Sequence, residues 1–149
     1  MSNTYLYLLV ALLAGAMMPT QAATNNKMAA FVDSPILAAF VSFLVGTVAL
    51  FVYLLLAGVP LTNIAGIRAA PAVAWAGGFL GAFFVTSTVV LVPRMGVAMT
   101  FGVIMAGQMI VTLIIDHFGL LGIEARPVNW QRTAGVLLII GGVVLIRKF

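Results

Sequence analysis

Long uncharged runs alternate with isolated charges along this chain. The charged residues are Lys27, Asp33, Arg68, Arg94, Asp116, Glu124, Arg126, Arg132, Arg147 and Lys148. They leave charge-free stretches at 1–26, 34–67, 69–93, 95–115 and 133–146. A helix crosses a hydrocarbon core of roughly 30 Å with about 20 mostly apolar residues. The first four stretches meet that length outright. The fifth, 133–146, meets it if Arg132 and Arg147 snorkel and Trp130 and Phe149 sit at the two interfaces. The pattern predicts an all-α membrane protein with transmembrane helices near 5–25, 35–57, 72–92, 96–117 and 131–147, in a single transmembrane domain over 1–149.

The joints between the runs agree. Asp33-Ser34-Pro35 joins an N-cap to a proline suited to a first helical turn. Gly58-Val59-Pro60 and Ala70-Pro71 bracket the next loop, and Pro93-Arg94-Met95-Gly96 makes a tight charged break. Gly119, Gly122 and Pro127 end the fourth helix and shape the loop after it. The first run is read as a retained helix and not a cleaved leader. Its start, Met1-Ser2-Asn3-Thr4, has no Lys or Arg, and Pro19 interrupts it.

Composition narrows the function. The 149 residues are 64% hydrophobic and 7% charged, with a mean hydropathy of +1.24. Soluble domains carry about 25% charged residues, so ten charges cannot solvate a globule of this size. That excludes a soluble enzyme, and no nucleophile–base or paired-carboxylate arrangement can be assembled here. The seven basic residues are dispersed and form no patch for nucleic-acid phosphates. Cysteine is absent, so there is no disulfide or thiolate metal site. Nothing implies a metal or a cofactor.

Five spans put the termini on opposite faces of the bilayer. One face receives Arg68, Arg126 and Arg132, and the other Lys27, Arg94, Arg147 and Lys148. A division of three against four gives the positive-inside rule almost nothing to act on. Either orientation is set weakly or by a partner subunit, or the chain inserts both ways and pairs as an antiparallel homodimer. The dimer would be a ten-helix inverted repeat, the usual scaffold of secondary transporters.

Gly77-Gly78-Phe79-Leu80-Gly81-Ala82-Phe83-Phe84-Val85-Thr86 runs into Val92-Pro93-Arg94-Met95-Gly96, then Ala106-Gly107-Gln108 and Asp116-His117-Phe118-Gly119. In this order the chain resembles the YdcZ-like family of small bacterial inner-membrane proteins, within the drug/metabolite transporter superfamily. Pro19, Gln21 and the stretch from Gly135 to Ile146 add weaker support. The resemblance implies a half-size transporter that assembles as an inverted pair, as a homodimer or with a paralogue. It assigns no substrate and no site residues.

Polar side chains inside the spans are the candidate sites for a small-molecule substrate. Gln108, Thr112 and Asp116 follow i, i+4, i+8 spacing and share one helix face. A mid-span amide either orients substrate in a cavity or forms an interhelical bond worth about 1 kcal/mol. On the first helix, Gln21 and Asn25 share a face just beyond the kink expected at Pro19. They fit a gate or cavity wall, or else polar groups near the interface. Trp75, Phe79 and Thr86 form a stripe on the third helix, suited to organic solutes or to lipid contact. Thr86, Ser87 and Thr88 can also bond to their own helix carbonyls. Gly77 and Gly81 make a small-xxx-small packing pair. Pro93 is a second candidate kink.

Asp116 and His117 are the adjacent titratable pair nearest a span. They fit proton coupling, or an interfacial anchor with Asp116 paired to Arg126 or Arg94. With no carboxylate in mid-membrane, a neutral or zwitterionic solute held by amides and aromatics is expected. The function expected is secondary transport of a small organic solute or metabolite by alternating access. A passive dual-topology channel and a non-transporting accessory subunit are the alternatives.

Overall fold

The computed structural model describes residues 2–148, so the interfacial role expected of Phe149 lies outside the described residues. The described residues form helices α1 (Ser2–Val32), α2 (Pro35–Leu56), α3 (Ala72–Met95), α4 (Val97–Phe118) and α5 (Trp130–Lys148). Short 3-10 segments occur at Leu61–Ala69 and Leu120–Gly122, and there is no strand among the described residues. All five helices are long and apolar enough to cross a membrane.

Four of the helices match their expected bounds to within three residues, because prolines and glycines mark their ends. Pro35 occupies the first turn of α2, and the Ser34 hydroxyl caps it by accepting from the Leu37 N–H at 3.2 Å. Gly96, at φ 78, separates α3 from α4. Gly119 closes α4 in the left-handed region at φ 61, as a C-cap glycine does.

The first helix departs from expectation. It continues seven residues beyond position 25, through Lys27, to Val32. A charged side chain does not interrupt the i to i−4 backbone ladder. The helix stops where Asp33 turns to φ 48. Asn25 therefore lies two turns inside a helix, not at its exposed end. The long segment 58–71, read as a plain loop, contains the nine-residue 3-10 stretch Leu61–Ala69.

The helices gather into two compact units, one up to Pro93 and one from Arg94 onward. In the first unit α1 packs against α2. Ala22 of α1 and Ala38 and Ala39 of α2 are buried, as is Asn25. Small side chains let helices approach closely where lipid tails supply no hydrophobic drive between them. In the second unit α4 packs against α5, with Thr100 and Val136 buried.

Gly102 shows how tight the α4–α5 seam is. A Cβ there would stand 3.1 Å from Val143 Cγ2, whereas one at Gly107 would meet nothing within 4 Å. Val143 is β-branched and has little rotamer freedom to yield. Gly102→Val should therefore lower the unfolding free energy in detergent by about 1–3 kcal/mol, the usual cost of overpacking. Gly107→Val should leave the melting temperature nearly unchanged.

Most large apolar side chains point outward. Leu56, Phe79 and Leu138 are 82%, 76% and 77% exposed. Apolar faces of this extent need lipid or protein cover. Lipid tails can supply that cover, since the spans satisfy their own backbone groups.

Candidate functional site

Each unit contains one constellation of polar groups. In the first, a cleft of about 220 Å³ is lined by Gln21 of α1 and by Ser42, Phe43, Gly46, Thr47 and Leu50 of α2. The two-residue turn Asp33–Ser34 sets the register. Gln21 is twelve residues before Asp33 and Gly46 twelve after Ser34, so they lie at one level of the hairpin. Asn25 and Ser42 are each eight residues from the turn and lie one helical turn nearer to it. Gln21 also borders a second hollow along α1 with Met17, Met18, Thr20 and Thr24. Asn25 is 6% exposed, and its Nδ2 has no hydrogen-bond partner.

The second constellation ties the end of α4 to the start of α5. Arg132 Nη2 donates to Asp116 Oδ2 in an ion pair that is mostly screened from solvent. Its Nη1 donates to the Arg126 carbonyl at 2.9 Å, and the Arg126 N–H donates to the Asp116 carbonyl at 2.7 Å. The Val128 N–H donates to His117 Nδ1 at 3.1 Å. Asn129 Oδ1 accepts from the Arg132 N–H at 2.9 Å and so caps α5. The loop turns on Gly119, where a Cβ would come within 3.1 Å of the Ile123 carbonyl oxygen.

Asp116 thus pairs with Arg132, not with the Arg126 or Arg94 side chain expected from the sequence. Arg126 instead reaches Glu124 across 3.9 Å, with both side chains mostly exposed. The adjoining hollow is lined by Leu113, Ile114, His117, Phe118 and Val128. His117 Nδ1 is already engaged with Val128, which leaves this hollow few polar contacts to offer.

The other candidates are dispersed. Gln108 and Thr112 share a face of α4 and are exposed, as is Trp75 on α3. Thr86 is half-buried, while Thr88 donates to the Val85 carbonyl at 2.8 Å. A Cβ at Gly81 would meet the Phe43 ring at 3.5 Å, and one at Gly77 would meet nothing. Pro19 lies inside α1 and Pro93 in the last turn of α3. Sequence reasoning passed over Ser42 and Thr47. They lie in the apolar run after Asp33, and their five-residue spacing marks no shared helix face. It also missed Arg132 as the partner of Asp116.

The family model described as "Putative inner membrane exporter, YdcZ" matches residues 6–145. No curated protein matches the chain, and no solved structure does. The matched stretch takes in α2, α3 and α4 whole and most of α1 and α5. With its five membrane-length helices and a match over nearly its whole length, the chain is a multi-pass inner-membrane protein that belongs to the YdcZ family, which is described as one of inner-membrane exporters.

Proposed function

We propose that this chain is half of an exporter. Two copies in opposite orientations form a ten-helix inverted pair, which carries a small neutral or zwitterionic organic solute across the membrane by alternating access. The observation that carries this reading is the charge division across an odd number of spans. Five helices put the termini on opposite faces, and the basic residues divide three to four between those faces. Neither insertion direction is then favoured by the positive-inside rule. A chain inserted both ways supplies the two halves that inverted-repeat transporters build from one polypeptide, with solute held between them near the midplane.

The placement of polar groups supports a neutral or zwitterionic cargo. Asp116 is at the end of α4 and engaged with Arg132. Gln21, Asn25, Ser42, Thr47 and Gln108 offer hydrogen bonds without net charge within the spans. An uncompensated ion would be costly to desolvate beside such groups. The direct test fuses to the C-terminus a reporter active on one face only, in parallel with one active on the other. Signal from both fusions is expected. Signal from one alone would reject the antiparallel homodimer.

A further inference from the structure

Five of the seven residues from Thr20 to Asn26 are polar. Three of these are turned back onto their own helix. Thr20 Oγ1 donates to the Ala16 carbonyl at 2.9 Å, Thr24 Oγ1 to the Gln21 carbonyl at 2.9 Å, and Asn26 Nδ2 to the Ala22 carbonyl at 3.0 Å. Gln21 and Asn25, four residues apart on one face, are the remaining two. Gln21 lines the α1–α2 cleft, and the Asn25 Nδ2 donor is buried without an acceptor.

Buried donors are nearly always paired, because leaving one unmade forfeits its hydration with no return. Eight residues from the Asp33–Ser34 turn place Asn25 roughly 12 Å along the hairpin at 1.5 Å per residue. Asn25 is only 6% exposed and its Nδ2 is itself buried, so bulk water does not serve the amide. An acceptor must come from elsewhere.

The cleft one turn away has room for one. Its volume of about 220 Å³ is well above the roughly 10–15 Å³ that a single water needs. Phe43 and Leu50 give it apolar walls, and Gln21, Ser42 and Thr47 its polar groups. The Thr47 hydroxyl proton is committed to the Phe43 carbonyl at 2.8 Å, so Thr47 adds no donor. No charged residue lines the cleft, so an ionic solute would meet no counter-charge there.

We propose that the α1–α2 cleft binds an uncharged organic solute through a hydrogen-bond acceptor such as a carbonyl. Gln21 makes the first contact, and Asn25 turns its amide toward the solute as the second donor. This rests on the transport reading above and narrows its cargo to solutes without an ionised group at this contact.

The chain has no cysteine, so Ser42→Cys supplies a unique thiol in the cleft. The purified variant, in nanodiscs of ether lipids that lack carbonyls, is reacted with N-ethylmaleimide alone or with ε-caprolactam, cyclohexanecarboxylate or cyclohexylammonium. ε-Caprolactam should slow labelling, and the two ions should not. Gln21→Leu or Asn25→Leu, each built into the Ser42→Cys protein, should raise the caprolactam concentration needed by about five- to tenfold, the worth of one lost hydrogen bond. Should Asn25→Leu fail to fold, the side-chain amide signal of Asn25 in the protein without that change must shift on adding ε-caprolactam.

Absence of protection overturns the proposal, as does equal protection by the ions or protection unchanged in both amide variants. Slower labelling in ester-lipid than in ether-lipid nanodiscs, before any solute is added, assigns the acceptor to a lipid carbonyl and also overturns it. Proteoliposome flux and the two-face reporter examine the transport reading separately. Protection without flux keeps the cleft and removes the transporter. Flux of ε-caprolactam indifferent to both amide variants does the reverse.

Discussion

Replacing Arg132 with methionine is expected to lower the unfolding free energy by about 2–3 kcal/mol. Removing one member of a fully buried ion pair costs roughly 3–5 kcal/mol, because it strands the other charge. Here the Arg132 and Asp116 side chains are 32% and 20% exposed, so solvent screens part of the loss. The substitution also deprives the Arg126 carbonyl of its 2.9 Å donor, which offsets some of that relief. A double variant, Arg132→Met with Asp116→Leu, should be less destabilised than Arg132→Met alone, since no charge is then left unpaired. Arg126→Met should cost about 0–1 kcal/mol, because its 3.9 Å contact with Glu124 is a surface pair. Thermal unfolding of the detergent-solubilised protein, run on all three, gives the comparison. Equal losses for Arg132→Met and Arg126→Met would show that the α4–α5 tie adds nothing to stability.

The second large effect concerns pairing. Thr62→Lys, Asn63→Lys and Ala65→Lys together change the basic count from three against four to six against four. Three lysines appended after Phe149 instead give three against seven. Each variant should then insert one way, in opposite senses, because short-loop Lys and Arg bias sets topology. Expressed alone, each should be recovered as a monomer, and expressed together they should restore a dimer. Light scattering in detergent reads this result directly. A full dimer yield from either locked variant alone would mean that the chains pair in parallel, and the antiparallel architecture would fall.

How much of this was legible in the sequence depends on what kind of signal carried it. The ends of α2, α3 and α4 were readable because Pro35, Pro71, Gly96 and Gly119 act on the backbone itself. The end of α1 was not. Lys27 looked like an exit from the membrane, but the helix is ended by the backbone turn at Asp33, and a charge beside an unbroken ladder says nothing about that turn. Gln21 and Asn25 were visible as a shared face of one helix. Their neighbours Ser42 and Thr47 were not, because that pairing follows from a two-residue hairpin whose register depends on where α1 stops. The Arg132 partner of Asp116 was hidden for a related reason. It lies sixteen residues away, across a loop whose path depends on Gly119 and on a left-handed Leu121 at φ 59.

The unequal arms of the first hairpin bear on the bilayer itself. α1 has 31 residues and α2 has 22, or about 46 Å against about 33 Å at 1.5 Å per residue. Even tilted by about 40°, the steep end of the usual range, α1 would outreach a hydrocarbon core of roughly 30 Å. Its amino-terminal turns, with Tyr5 and Tyr7, then meet the headgroups while α2 is still fully immersed. Any change in the tilt of α1 must stretch or thin the surrounding lipid, at fractions of a kcal/mol per Å of mismatch. Under the alternating-access proposal, the balance between conformations would therefore be coupled to acyl-chain length, with the membrane as an elastic element.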